Sequence, residues 1–156
     1  MASHIAADIL RQTVSAALDG TGMYLKMSYN CRIYPEERFN VMITLEEASE
    51  YGFSSAEKLT GADVALKNLR DVLAGLPELE VKEDDVAKYK SVLKGRMAIE
   101  MQEPQYWTRA VAMRYMDGKN FTTGYEGKID AVTADRVSAL LASLADASRV
   151  EYIIRK

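Results

Sequence analysis

Met23-Tyr24-Leu25-Lys26-Met27-Ser28-Tyr29-Asn30-Cys31-Arg32-Ile33 puts an apolar residue at every second position. After Tyr34-Pro35-Glu36-Glu37 the alternation resumes, with Phe39, Val41, Ile43 and Leu45 set against Arg38, Asn40, Thr44 and Glu46. Side chains of a strand point to opposite faces in turn, so both runs read as half-buried strands. A short polar break between them makes an antiparallel hairpin the simplest connection. Cys31 falls on the apolar side of the first strand and reads as a small core residue rather than a nucleophile.

The sequence on either side of the hairpin is helical. From Ala6, the residues Ile9, Leu10, Val14, Ala17 and Leu18 recur at helical spacing until Asp19-Gly20-Thr21-Gly22 breaks the pattern. Downstream, Glu47 to Phe53 reads as a connector. Ser54-x-x-Glu57 and Thr60-x-x-Asp63 are two helix-start boxes, with Gly61 separating a first turn from a main helix. That helix carries Ala62, Ala65, Leu66, Leu69, Val72 and Leu73 on one stripe and ends at Gly75 and Pro77. The next starts near Glu83 and aligns Val86, Tyr89, Leu93 and Met97, with Gly95 inside it. Pro104 suits the first turn of a third helix, with a stripe of Trp107, Ala110, Val111 and Tyr115 that ends at Asp117-Gly118. With Tyr106, these aromatics could form a recognition surface, but the helical spacing favours core or rim packing. Lys119 to Gly127 reads as a loop or short excursion. Thr133 caps a last helix with Val137, Leu140, Leu141 and Leu144 inward, and Val150 to Arg155 is expected to be a terminal strand paired with the hairpin. Helix, hairpin, four helices and a strand give an α+β fold, two-layered, with helices on one face of a small antiparallel sheet. No repeat or linker divides the chain, so residues 1–156 are expected to form a single domain.

Composition narrows the chemistry. The 156 residues contain one cysteine, Cys31, and one histidine, His4, and carry a net charge of −3. A chain of this length buries roughly 70% of its unfolded surface, enough for a core without disulfides or metal. One histidine and one cysteine cannot build a self-contained zinc site, and a Ser-His-Asp triad would need His4, in the first few residues, where order is poorest. Neither a phosphate-binding G-x-x-x-x-G-K-[ST] loop nor a G-x-G-x-x-G turn occurs. No basic stripe points to nucleic acid. The acidic group Glu78, Glu80, Glu83, Asp84 and Asp85, interrupted by Lys82, reads as a helix start that favours negative charge. No apolar run reaches the roughly 18 residues of a membrane span, and no leader opens the sequence, which leaves periplasm and cytoplasm both open.

Several segments resemble one family. Ala7-Asp8-Ile9-Leu10 opening a helix and Gly22-Met23-Tyr24 entering a hairpin are similar to the substrate-side segment of insulinase and pitrilysin-type zinc peptidases. Gln105-Tyr106-Trp107, Tyr115-Met116-Asp117-Gly118, Tyr125 and Ile129-Asp130-Ala131-Val132-Thr133-Ala134-Asp135-Arg136-Val137 follow in that family's order and spacing. The resemblance implies a two-layer domain used in duplicate, with zinc held by only one half through H-x-x-E-H. His4 is followed by Ile5-Ala6-Ala7-Asp8, so no catalytic or metal-binding residue carries over. The chain would be the C-terminal part of a non-catalytic half, lacking that domain's first strands. It would enclose peptide while zinc-activated water acts in the catalytic half of the same protein or in a partner subunit.

The family's non-catalytic half supplies an arginine and a tyrosine to the substrate. Tyr24 matches the tyrosine, the arginine position is Ala17, and the nearby cations Arg11 and Lys26 do not match it. The other reading of Tyr24 is a solvent-facing aromatic on a strand. The rival function is an inactive scaffold or assembly subunit of the same fold. Missing strands would leave a sheet edge open to a second copy of the chain.

Overall fold

The computed structural model describes residues 1–32, 36, 38–47, 55–118, 120 and 122–154. The chain is α+β. Helix α1 (Ala2–Ala17) leads into the hairpin β1 (Met23–Arg32) and β2 (Arg38–Glu47). Helix α2 (Ser55–Gly75), a 3-10 turn at Leu76–Glu78, α3 (Glu83–Glu100), α4 (Pro104–Asp117), α5 (Tyr125–Asp130) and α6 (Ala134–Ala145) follow. The expected turn at Tyr34 to Glu37 lies, apart from Glu36, outside the described residues, as does the connector beyond Glu47.

The core belongs to the helices. Ile5, Ala6, Ala7, Leu10 and Val14 of α1 are buried together with Ala65 of α2, Leu76 of the 3-10 turn, Val86 and Leu93 of α3, Ile129 of α5, and Val137 and Leu141 of α6. The stripes read for α2, α3 and α6 all face this core. Helix α1 begins four residues earlier than the spacing from Ala6 suggests, because Ala2 and Ile5 extend its buried stripe by one turn.

The hairpin pairs in an unbroken antiparallel register, with Leu25 opposite Leu45, Met27 opposite Ile43, Tyr29 opposite Val41 and Cys31 opposite Phe39. Burial alternates along β1 as the sequence requires. The inner face, which packs on the helices through Leu25, Met27, Val41, Ile43 and Leu45, is only half-buried, and no strand residue joins the fully buried core.

Four expectations change. Residues 125–127, expected in a loop, open α5, so five helices rather than four follow the hairpin among the described residues. The terminal strand does not form: residues 150–154 have no regular structure, Arg155 lies outside the described residues, and the sheet keeps two strands. A strand needs a neighbour to satisfy its backbone, and this segment has none among the described residues. The stripe on α4 is not packed inward: Trp107, Val111 and Tyr115 are exposed, no described residue of α4 is buried, and none packs against the core cluster. Gly61 does not interrupt α2, which runs continuously past it. It marks a close approach instead, because a Cβ there would meet the Thr21 carbonyl oxygen at 2.7 Å.

Candidate functional site

Tyr24 is the second residue of β1, on the outer face of the hairpin, and 69% exposed. Its cross-strand neighbour is Glu46, which accepts from Lys26 Nζ at 3.0 Å on the same face. Ala17 ends α1 on the opposite side of the sheet, half-buried, and its carbonyl accepts from Asn68 Nδ2 at 2.8 Å. The position corresponding to the family's arginine therefore carries no cation. Arg11 is engaged elsewhere, donating to the Met27 carbonyl at 3.2 Å. Tyr24 has a free aromatic face and a hydroxyl able to donate to a carbonyl acceptor.

Several polar residues meet where α1 joins its neighbours. His4 Nδ1 and the Tyr29 hydroxyl lie 2.8 Å apart, with the rings edge to face at 5.5 Å between centroids, and Tyr29 in turn meets Phe39 at 6.1 Å. Burial, followed by the positive amino terminus and Arg96, lowers the His4 pKa from 6.5 to about 4, so the imidazole is neutral at pH 7. Burial also raises the Tyr29 pKa, and the nearby Asp8 carboxylate adds to it. Cys31 Sγ donates to Ser3 Oγ at 3.1 Å. It is half-buried on the inner face, as its place in the alternation predicts.

An open groove of about 640 Å³ runs along α1 beside α3, lined by residues that include Asp8, Arg11, Gln12, Asp19, Lys88 and Tyr89. Asp8 pairs with Arg96 at 3.4 Å, and Tyr89 donates to the Gln12 side chain. The groove presents mixed charge and no nucleophile held against a base. No group of three or more His, Cys, Asp or Glu side chains able to hold a metal occurs among the described residues. No helix there is long and apolar enough to cross a membrane.

Two of these features have no local sequence signal of their own. His4, in a terminal segment where order is expected to be poorest, sits in the first turn of α1 against Tyr29. The spacing of Ala2, Ile5 and Ile9 is the signal that places this turn inside the helix. The acidic start of α3 does more than complement its own helix end, because Glu83 Oε1 accepts from Ala134 N at 3.1 Å at the start of α6. Compared with protein-family models, with curated proteins and with solved structures, the chain finds no match in any of the three.

Proposed function

We propose that this chain is a substrate-enclosing, non-catalytic portion of an insulinase-like zinc metallopeptidase, in which zinc-activated water hydrolyses peptides on the partner half. The observation that carries the reading is the hairpin layer. Its inner face is half-covered, its sheet has two strands among the described residues, and its outer face presents the exposed Tyr24 beside the Lys26–Glu46 pair. Such a layer suits a wall completed by further protein, with Tyr24 donating a hydrogen bond to a peptide carbonyl as the bound chain passes.

The reading is tested on the parent protein. An H-x-x-E-H segment in its reading frame, chelator-sensitive cleavage of an unstructured peptide, and loss of that cleavage in Tyr24→Phe are expected. Stoichiometric zinc in this chain alone, together with cleavage by it, would refute the proposal. One observation favours the alternative of an inactive scaffold or assembly subunit: Ala17 offers no side-chain donor where the peptidases place arginine. A parent or partner without H-x-x-E-H would decide for that alternative.

A further inference from the structure

Helix α4 carries an apolar stripe with nothing over it among the described residues. Trp107, Val111 and Tyr115 follow one another at turn spacing and are 44%, 50% and 85% exposed. Pro104, also exposed, continues the stripe at the start of the helix. The half-buried residues of α4 are Tyr106, Ala110 and Met113, on the far side. The Trp107 ring is held in place, because its indole N–H donates to the Met101 carbonyl at 2.8 Å and its edge meets Tyr106 at 5.5 Å between centroids. A fixed, exposed aromatic of this kind is a ready anchor for a contact. Since α4 packs nothing on the core cluster, a helix of 14 residues gains most of its stability from whatever buries this stripe.

The charges beside the stripe say what that is. Glu103 and Arg114 are eleven residues apart, three turns of helix, so both lie along the same flank. They stand roughly 16 Å apart along the axis. Both are exposed, and neither has an ion-pair partner among the described residues. A flank that is acidic at its start and basic at its end is complementary to its own reversed copy. Two α4 helices packed antiparallel about a two-fold axis keep their matching flanks on the same side, which brings Glu103 of each to Arg114 of the other.

We infer that α4 pairs with α4 of a second copy of the chain in an antiparallel two-fold dimer. In that register Trp107 packs against Val111 of the second copy and Tyr115 against its Pro104, while two Glu103–Arg114 ion pairs close one flank. The opposite flank carries Thr108 and Ala112, which bring no charge into the contact. The exposed apolar segment Val150–Ile154 of the same chain does not offer this match, because its carboxylate, Glu151, is already bound by Arg70 at 2.6 Å and by Arg149 at 3.3 Å. Two helices four turns long make a contact at the small, transient end of the interface range, so the dimer is weak. The inference does not depend on the peptidase reading.

The test is charge reversal in the full chain, read by sedimentation across a concentration series. The unmodified chain is expected to show a concentration-dependent dimer. Glu103→Arg and Arg114→Glu, both at exposed positions that do not endanger folding, each set two pairs of like charges together and are expected to weaken the dimer roughly tenfold or more. The double variant Glu103→Arg/Arg114→Glu is expected to restore it, a recovery that a different protein or a segment of the same chain lying on α4 would not give. As a second readout, Glu103→Cys and Arg114→Cys are combined in a Cys31→Ser background. Two thiols that far apart on one helix cannot bridge within a chain, so oxidation is expected to give a covalent dimer on a non-reducing gel. A chain that stays monomeric, a dimer indifferent to either single reversal, or a double variant that remains monomeric would overturn the inference.

Discussion

His4 Nδ1 and the Tyr29 hydroxyl, 25 residues apart in sequence and 2.8 Å apart in space, fasten the first turn of α1 to the inner face of β1. This is one of the contacts by which α1 grips the hairpin, and burial lowers the pKa of its histidine.

Acid should loosen it. The folded His4 pKa is depressed to about 4 from 6.5, so the unfolded chain binds more protons between those values. The His4 contribution to stability is complete above pH 6.5, declines as the pH falls towards 4, and levels off below. The full shift corresponds to at most about 3 kcal/mol. Urea unfolding across this window measures the slope, and His4→Gln should flatten it. A slope unchanged in that variant would show that other groups govern the acid response.

Tyr29→Phe keeps the ring contacts with His4 and Phe39 and removes only the hydroxyl. Its expected cost is about 1 kcal/mol, the usual net value of one hydrogen bond, read as a shift in the urea midpoint at pH 7.

Two glycines inside helices should respond in opposite directions. A Cβ at Gly95 meets nothing within 4 Å, so Gly95→Ala should stabilise by about 0.5–1 kcal/mol through helix propensity. Gly61→Ala would drive a methyl group into the Thr21 carbonyl oxygen and should destabilise despite the same propensity gain. Thermal unfolding of the pair decides whether close packing of α2 on the 18–22 turn outweighs backbone entropy.

The start of α6 is held twice, by Thr133 accepting from Arg136 N at 3.3 Å and by Glu83 accepting from Ala134 N. Each of Thr133→Ala and Glu83→Ala should lose about 0.5–2 kcal/mol. Because both act on one helix end, the double variant should depart from additivity in a double-mutant cycle.

Much of the fold was legible because local and tertiary demands agree. Strict alternation from Met23 to Cys31 survives as the half-buried face of β1, and Thr133, Pro104 and Gly118 sit at the helix boundaries their chemistry indicates. Where the two demands part, the sequence misleads. Val150, Tyr152 and Ile154 have strand spacing, although Ile153 breaks the alternation, and pattern alone supplies no neighbouring strand. The stripe on α4 has helical spacing, but spacing does not say whether anything lies over it. Of the candidate site, Tyr24 stands where its parity puts it. His4 with Tyr29, and Glu83 with Ala134, are meetings across 25 and 51 positions that no local signal announces.

Among its described residues the hairpin contributes none that is fully buried, while α1 is buried along most of one side. The two layers should therefore unfold separately under native conditions. In hydrogen exchange, the amides of β1 and β2 would exchange through a low-energy opening that leaves the helices folded, whereas α1 amides beside Ile5, Leu10 and Val14 would exchange only on global unfolding. The hairpin is then a hinged leaf on a firm helical base, and whatever covers its edge would register first as slowed exchange in β1.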